Sequence, residues 1–297
     1  MRLYTIEYEN KEWAAVQLAD GGICRLEDMG ISVRDMNDLI CRFDALKEEL
    51  EEGIRNPAMQ GLAEGTYRIL APIPVLRQDM ICLGVNYRSH MEETATGISF
   101  TKAADAVYFS KRANRCNDPF GCIPLYDFVD SLDYEVELAV VLKKDAFGVS
   151  VDQARDYILG YTIINDVSAR NVQRKHQQWY LGKSLDGYTP MGPCIVTADE
   201  VEDVHNLEIA CFVNEERRQN SNTSFMITTI EEAISELSAG MTLKAGTVIA
   251  TGTPGGVGMG MKPPVFLKCG DVVRCVIEGI GELENTVGNA AGNEKND

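Results

Sequence analysis

Asp133-Tyr134-Glu135-Val136-Glu137-Leu138-Ala139-Val140-Val141-Leu142 is the stretch on which the fold turns. Its apolar, β-branched second half predicts a strand over Tyr134–Leu142. Side chains alternate along a strand, so Glu135 and Glu137 share a face. Two carboxylates held together repel, which raises a pKa or calls for a cation, and close-set oxygen ligands suit Mg²⁺ or Mn²⁺ rather than zinc. A solvated acidic strand face explains the pair equally well, and these residues alone leave both readings open.

Comparable runs occur at Met80–Val85, Tyr161–Ile164, Leu207–Val213, Thr247–Ala250 and Asp271–Ile277. Ser150 with Gln153, and Thr229 with Glu232, are capping-box patterns that predict two short helices, the second closed by Gly240. Strands outnumber helices and do not alternate with them as a βαβ fold requires. The expected class is therefore α+β and β-rich, with a mixed, mostly antiparallel sheet. Upstream, Tyr4, Ile6 and Tyr8 alternate with polar residues, and Trp13–Leu18 follows, closed by a Gly21-Gly22 turn. A helix capped by Ser32, with Asp35 three residues on, is predicted through Met36, Leu39, Ile40, Phe43 and Leu46 until Gly53 and Pro57. The rigid joint Ala71-Pro72-Ile73-Pro74 suggests a small α+β domain over 1–72, a larger body over 73–288 and a disordered tail over 289–297.

The chain has 297 residues and a formal charge of −17, which disfavours a nucleic-acid partner. No run of about 18 apolar residues is present, so no membrane partner is expected. Nine cysteines, scattered without C-x-x-C, indicate neither a disulfide framework nor a zinc knuckle and fit a reducing cytoplasm. Against this acidity the basic clusters Lys111–Arg115 and Arg170–Lys175 stand out as places where a small carboxylate can bind, or as solvated surface charge.

Four further pieces bear on chemistry. Asn165-Asp166 ends an apolar run, so Asp166 is either a third ligand or turn chemistry. His90 and Glu93 share a face of a helical turn, the arrangement of a base oriented by a carboxylate, although short surface motifs often look the same. Gly182-Lys183-Ser184 lacks the upstream glycine of a phosphate loop, and Thr251-Gly252-Thr253-Pro254-Gly255-Gly256-Val257-Gly258 lacks dinucleotide spacing. A glycine-rich turn of this kind still brings backbone N–H groups and the Thr253 hydroxyl near a ligand.

Taken in order, Asn86-Tyr87-Arg88-Ser89-His90-Met91-Glu92-Glu93, Glu135-Val136-Glu137, Asn165-Asp166-Val167-Ser168-Ala169-Arg170, Gly182-Lys183-Ser184 and Thr251–Gly258 resemble the fumarylacetoacetate hydrolase family over roughly residues 75–287. The resemblance implies a mixed β-roll catalytic domain, a Mg²⁺ site (Mn²⁺ or Ca²⁺ in some members) and a homodimer. It places the metal ligands on Glu135, Glu137 and Asp166, the base and its orienting carboxylate on His90 and Glu93, and the active-site lysine on Lys183. Substrate contacts fall on Gln173, Thr253 and, more loosely, Arg170. Two departures stand out. Leu83-Gly84-Val85 offers no counterpart to an extra metal-binding carboxylate of the eukaryotic hydrolase, so water or substrate completes the shell. A substrate-contacting tyrosine of that enzyme is replaced by Gln177, so fumarylacetoacetate itself is not assumed.

The activity so implied is metal-dependent hydrolysis of a C–C bond in a β-diketo or 2-oxo acid through an enolate, with His90 activating water. The alternatives are an isomerase or hydratase of aromatic-degradation intermediates, an oxaloacetate decarboxylase and, more remotely, a non-enzymatic ligand-binding protein. A lid over the site is expected in Thr94–Pro119, which opens with small residues such as Gly97, Ala103 and Ala104.

Overall fold

The computed structural model describes residues 1–94 and 105–290. In chain order, strands β1 (Arg2–Tyr8), β2 (Lys11–Gln17) and β3 (Ile23–Arg25) precede helix α1 (Met36–Arg55), followed by β4 (Tyr67–Leu70) and β5 (Met80–Gly84). Helix α2 (Arg88–Thr94) leads to β6 (Val107–Lys111), β7 (Cys122–Leu125), β8 (Leu132–Asp133), β9 (Val136–Leu142), β10 (Ile158–Asn165) and β11 (Ser168–Ala169). Two short helices, α3 (Arg170–Lys175) and α4 (Tyr180–Lys183), come before β12 (Met191–Thr197), β13 (Glu208–Val213) and β14 (Glu216–Asn222). Helix α5 (Ile230–Ser238), β15 (Val248–Ala250), β16 (Val272–Ile277) and β17 (Gly281–Asn289) complete the chain.

The strands form a ten-stranded sheet ordered β3-β2-β1-β12-β10-β9-β15-β5-β6, with β4 also on β1, a five-stranded sheet ordered β14-β13-β16-β17-β7 and a two-stranded pair, β11-β8. Most pairings are antiparallel; β15 on β5 and β17 on β7 are parallel. The fold is thus α+β and β-rich. Strand β9 shows why its sequence is apolar on both faces. Val136, Leu138, Val140 and Leu142 pack with Val273, Cys275 and Ile277 of the five-stranded sheet, whereas Ala139 and Val141 face Leu39, Ile40 and Phe43 of α1. A strand covered on both sides reads as continuous hydrophobic sequence. Glu137 has the parity of Ala139 and Val141, and so points along that second face at the end of the strand.

Helix α1 begins later than the Ser32 pattern suggests. Its cap is Asp35, extended in the backbone, whose carboxylate accepts from Asp38 N–H at 2.8 Å. The Thr229–Glu232 capping box is present in full, and α5 ends at Ser238, before Gly240. Ser150 and Gln153 bond side chain to side chain and backbone to backbone, the Ser150 side chain caps no helix N–H, and the segment Val151–Tyr157 is a 3₁₀ helix.

The Pro72-Pro74 joint does not interrupt the sheet. Leu3 pairs with Ile195 and Arg2 with Val196, so the first strand is continuous with the strands of the body. Of the stretch expected to form a lid, residues 95–104, with Gly97, Ala103 and Ala104, lie outside the described residues. From Val107 the chain is β6, paired with β5 from Met80↔Lys111 to Gly84↔Val107. The tail residues 291–297 also lie outside them, and Asn289 ends β17. Among the described residues no helix is long and apolar enough to cross a membrane.

Candidate active site

The adjoining ends of β9 and β10 bring three carboxylates together. Glu135 lies just before β9, its N–H bonded to Asn165 Oδ1 at 2.9 Å, while its carbonyl accepts from Asp166 N–H at 2.8 Å. This crossed pair locks the E-x-E strand to the Asn-Asp turn. One oxygen from each of Glu135, Glu137 and Asp166 lies within 4.8 Å of the others, and all three residues are buried.

Cations surround them unevenly. Lys183 Nζ donates to Glu135 Oε2 and Asp166 Oδ2, both at 2.5 Å. Arg170 Nη2 donates to the other Glu135 oxygen, and its Nε to Asp133 Oδ2 at 2.8 Å. Lys111 Nζ, wholly buried, donates to Asp166 Oδ1 at 2.6 Å and to the Val167 carbonyl at 3.2 Å. Among the described residues four carboxylates, counting Asp133, therefore face three cations, and Glu137 is the one without an ion pair. Its Oε2 accepts from Gly252 N–H, at 2.8 Å.

The electrostatic consequence separates Glu135 from Glu137, two residues further along the chain. Burial pushes the Glu137 carboxyl well above the usual carboxylate range, and the charges of Asp166 and Glu135 push it further. Burial acts upward on Glu135 too, but Lys183 and Arg170 outweigh it and hold that carboxyl below the usual range. For Lys183, burial opposes the charge, yet Asp166 and Glu135 raise the ammonium above its ordinary value. Lys183 is therefore a fixed positive charge rather than a base. A buried cluster with an uncompensated carboxylate and three convergent oxygens fits a divalent cation with a preference for oxygen ligands. Glu135, Glu137 and Asp166 are the residues that would hold it.

Helix α2 supplies the second component. His90 Nδ1 lies 2.8 Å from Glu93 Oε1, and Glu93 Oε2 accepts from Gly256 N–H at 2.8 Å, tying the pair to the glycine-rich turn. That turn is fixed from below as well. Asp133 accepts from Gly258 N–H at 2.7 Å and Met259 N–H at 3.0 Å, and a side chain at Gly258 would collide with the Val265 carbonyl and with Asp133 itself. Thr253 Oγ1 donates to the Val136 carbonyl and accepts from Gln219 Nε2, so its hydroxyl proton is committed within the protein.

These groups surround a cavity of about 720 Å³. His90, Glu93, Glu135, Glu137, Arg170, Gln173, Lys183 and Thr253 line it together with Leu83, Phe109, Arg174, Gln177 and Trp179. Asp166 stands behind that surface, bonded to Lys183. The glycine of Gly182-Lys183-Ser184 is explained by packing: a Cβ there would lie 2.6 Å from Gln173 N, so only glycine lets α4 approach α3 and deliver Lys183. Of the two basic clusters, Lys111–Arg115 does not cradle a ligand as a unit. Lys111 turns inward, while Arg112 and Arg115 pair with Asp79 and Glu12 on the surface. The sequence reading missed Lys111, Asp133 and Gln219 as site-supporting residues. Asp133 shares strand parity with Glu135, which was a usable signal; Gln219, on a strand of the other sheet, carried none.

Residues 79–288 match the family described as fumarylacetoacetate (FAA) hydrolase, C-terminal. The oxaloacetate tautomerase YisK of Bacillus subtilis is 39% identical over 254 residues, covering 83% of each chain. Among solved structures, the fumarylacetoacetate hydrolase of Exiguobacterium antarcticum aligns over 98% of this chain and all of that one, at 35% identity and a TM-score of 0.81. The maleylpyruvate hydrolase of Sphingobium sp. SYK-6, solved with manganese(II) and pyruvate, aligns over the same shares at 27% identity and a TM-score of 0.80.

Proposed function

The chain is an enzyme of the fumarylacetoacetate hydrolase family, and from that premise we propose that it interconverts the keto and enol forms of oxaloacetate with the help of a divalent cation, Mg²⁺ or Mn²⁺. The observation that carries the proposal is the convergence of Glu135, Glu137 and Asp166 beside the Lys183 ammonium, on a cavity that also holds the His90–Glu93 pair. The similarity to YisK over most of both chains supports oxaloacetate as the substrate.

A cation bound by the three carboxylates would act as a Lewis acid toward the oxygens of a 2-oxo acid. Lys183, kept protonated by its two carboxylate partners, sets a second positive charge beside the oxygen on which enolate charge develops. With Nδ1–H donating to Glu93, Nε2 is the basic nitrogen of His90. His90 takes the proton from C3 of the keto acid, and its return to the enolate oxygen completes the enol; the reverse order gives the keto form. Gln173, whose Oε1 accepts from Arg170 at 3.1 Å, keeps its amide donors for the substrate head.

The test follows the ultraviolet absorbance of enol-oxaloacetate with purified protein and Mg²⁺. Replacing His90 with Ala is expected to lower kcat by about 10²–10⁴-fold. Decay of the enol at the uncatalysed rate in the presence of wild-type protein would sink the proposal. A second reading, hydrolysis of an acylpyruvate-type C–C bond, is favoured by the same His90–Glu93 contact, since such a pair can deprotonate water. Parallel assays with an acylpyruvate and of CO₂ release from oxaloacetate separate the two, and decarboxylation that survives His90→Ala with no hydrolysis would remove the second. A homodimer belongs to the same proposal and is read by light scattering.

A further inference from the structure

The cations on the floor of the cavity are already neutralised from within: Arg170 is shared by Asp133 and Glu135, and Lys183 by Glu135 and Asp166. Arg174 differs. It lies one helical turn beyond Arg170 on α3, is exposed, and lines the same cavity, and its guanidinium has no ion-pair or hydrogen-bond partner among the described residues. Three residues further on, Gln177 also lines the cavity and holds φ at +60°, in the left-handed region that non-glycine residues seldom occupy. The rim between α3 and α4 thus presents a cation and an amide that bond to no other side chain among the described residues.

We propose that Arg174 binds the second carboxylate of a dicarboxylic substrate, with Gln177 beside it, and so makes this site selective for 2-oxo dicarboxylates over 2-oxo monocarboxylates. This rests on reading the site as one for 2-oxo acids. A chain of formal charge −17 repels a dianion, and an unpaired guanidinium at the cavity mouth is what offsets that repulsion locally. The planar fork of arginine matches a carboxylate with two parallel hydrogen bonds, which a neutralised Arg170 cannot offer.

The experiment is calorimetric titration of the full chain in Mg²⁺ with malate and with lactate, unreactive 2-hydroxy acids that differ by one carboxylate. Wild type is expected to bind malate about tenfold or more tightly than lactate, as a charge-assisted pair implies. The variant Arg174→Gln should lose most of that preference without weakening lactate, and Arg174→Lys should restore part of it. A preference that persists in Arg174→Gln, or its absence in wild type, overturns the assignment. Loss of the preference in Arg174→Gln, alongside a wild type that does not turn over oxaloacetate, overturns the proposed reaction and leaves the carboxylate subsite standing.

Discussion

Two ion clusters in this molecule are built from similar parts and do different things. At the end of β9, Asp133, Glu135, Glu137 and Asp166 face Lys111, Arg170 and Lys183, all buried. On the outer flank, Glu231 of α5 accepts from Arg155 Nε at 2.7 Å and lies 2.9 Å from His205 Nε2, joining α5 to the 3₁₀ segment Val151–Tyr157. There Arg155 is 67% exposed and the single acid has two partners. A half-solvated cluster in which the acid is satisfied ties elements together. A buried one in which acids outnumber cations is left with a carboxylate that needs a proton or a metal.

That contrast breaks first at Glu137. Replacing it with Ala is expected to lower kcat/KM for the metal-dependent reaction by about 10³-fold or more, with metal content falling in parallel. Wild-type turnover without a divalent ion would erase the distinction between the clusters. Next, Asp133→Ala should lower the free energy of urea unfolding by about 3–5 kcal/mol, because Arg170 loses one of its two carboxylates and Gly258 and Met259 lose their acceptor. An unchanged midpoint would show the buried network to be dispensable. Adding Mg²⁺ at about a hundredfold over its Kd should stabilise the wild type by about 2.7 kcal/mol and leave Glu137→Gln much less affected.

The smallest effect belongs to the flank. Burial acts upward on the Glu231 carboxyl, but His205 and Arg155 outweigh it and leave its folded value below the ordinary 4.5. A depressed carboxylate contributes stability above its unfolded value and loses it as pH falls through the folded one. Glu231→Gln should therefore cost no more than about 1 kcal/mol at neutral pH, given the solvent around Arg155. The urea midpoints of variant and wild type should converge as the solution is acidified below 4.5. Turnover should be unchanged; a drop comparable to that of Glu137→Ala would mean the two clusters are coupled.

Much of the fold was legible because local rules and tertiary packing agree. The apolar run of β9, the heptad-like spacing of α1 and the Thr229–Glu232 box each report an element whose own residues determine it. Strands β6, β12, β14 and β17 were not legible. β6 lies within the stretch expected to form a lid, and Glu216-Arg217-Arg218-Gln219-Asn220-Ser221-Asn222 has no apolar alternation at all. It is a strand because it pairs with β13 at the edge of the five-stranded sheet.

The sequence by itself determined the carboxylate pair, the His90–Glu93 spacing and the order of motifs, since strand and helix periodicity act over a few residues. Which of these charges are neutralised was decided only by the tertiary structure. Lys111 reads as the first member of a surface cluster until β6 pairs with β5 and turns it onto Asp166, and Arg174 reads like Arg170 until burial separates them. Electrostatic partners are set by distance through space, and residues 111 and 166, or 135 and 183, become neighbours only when the sheet is assembled.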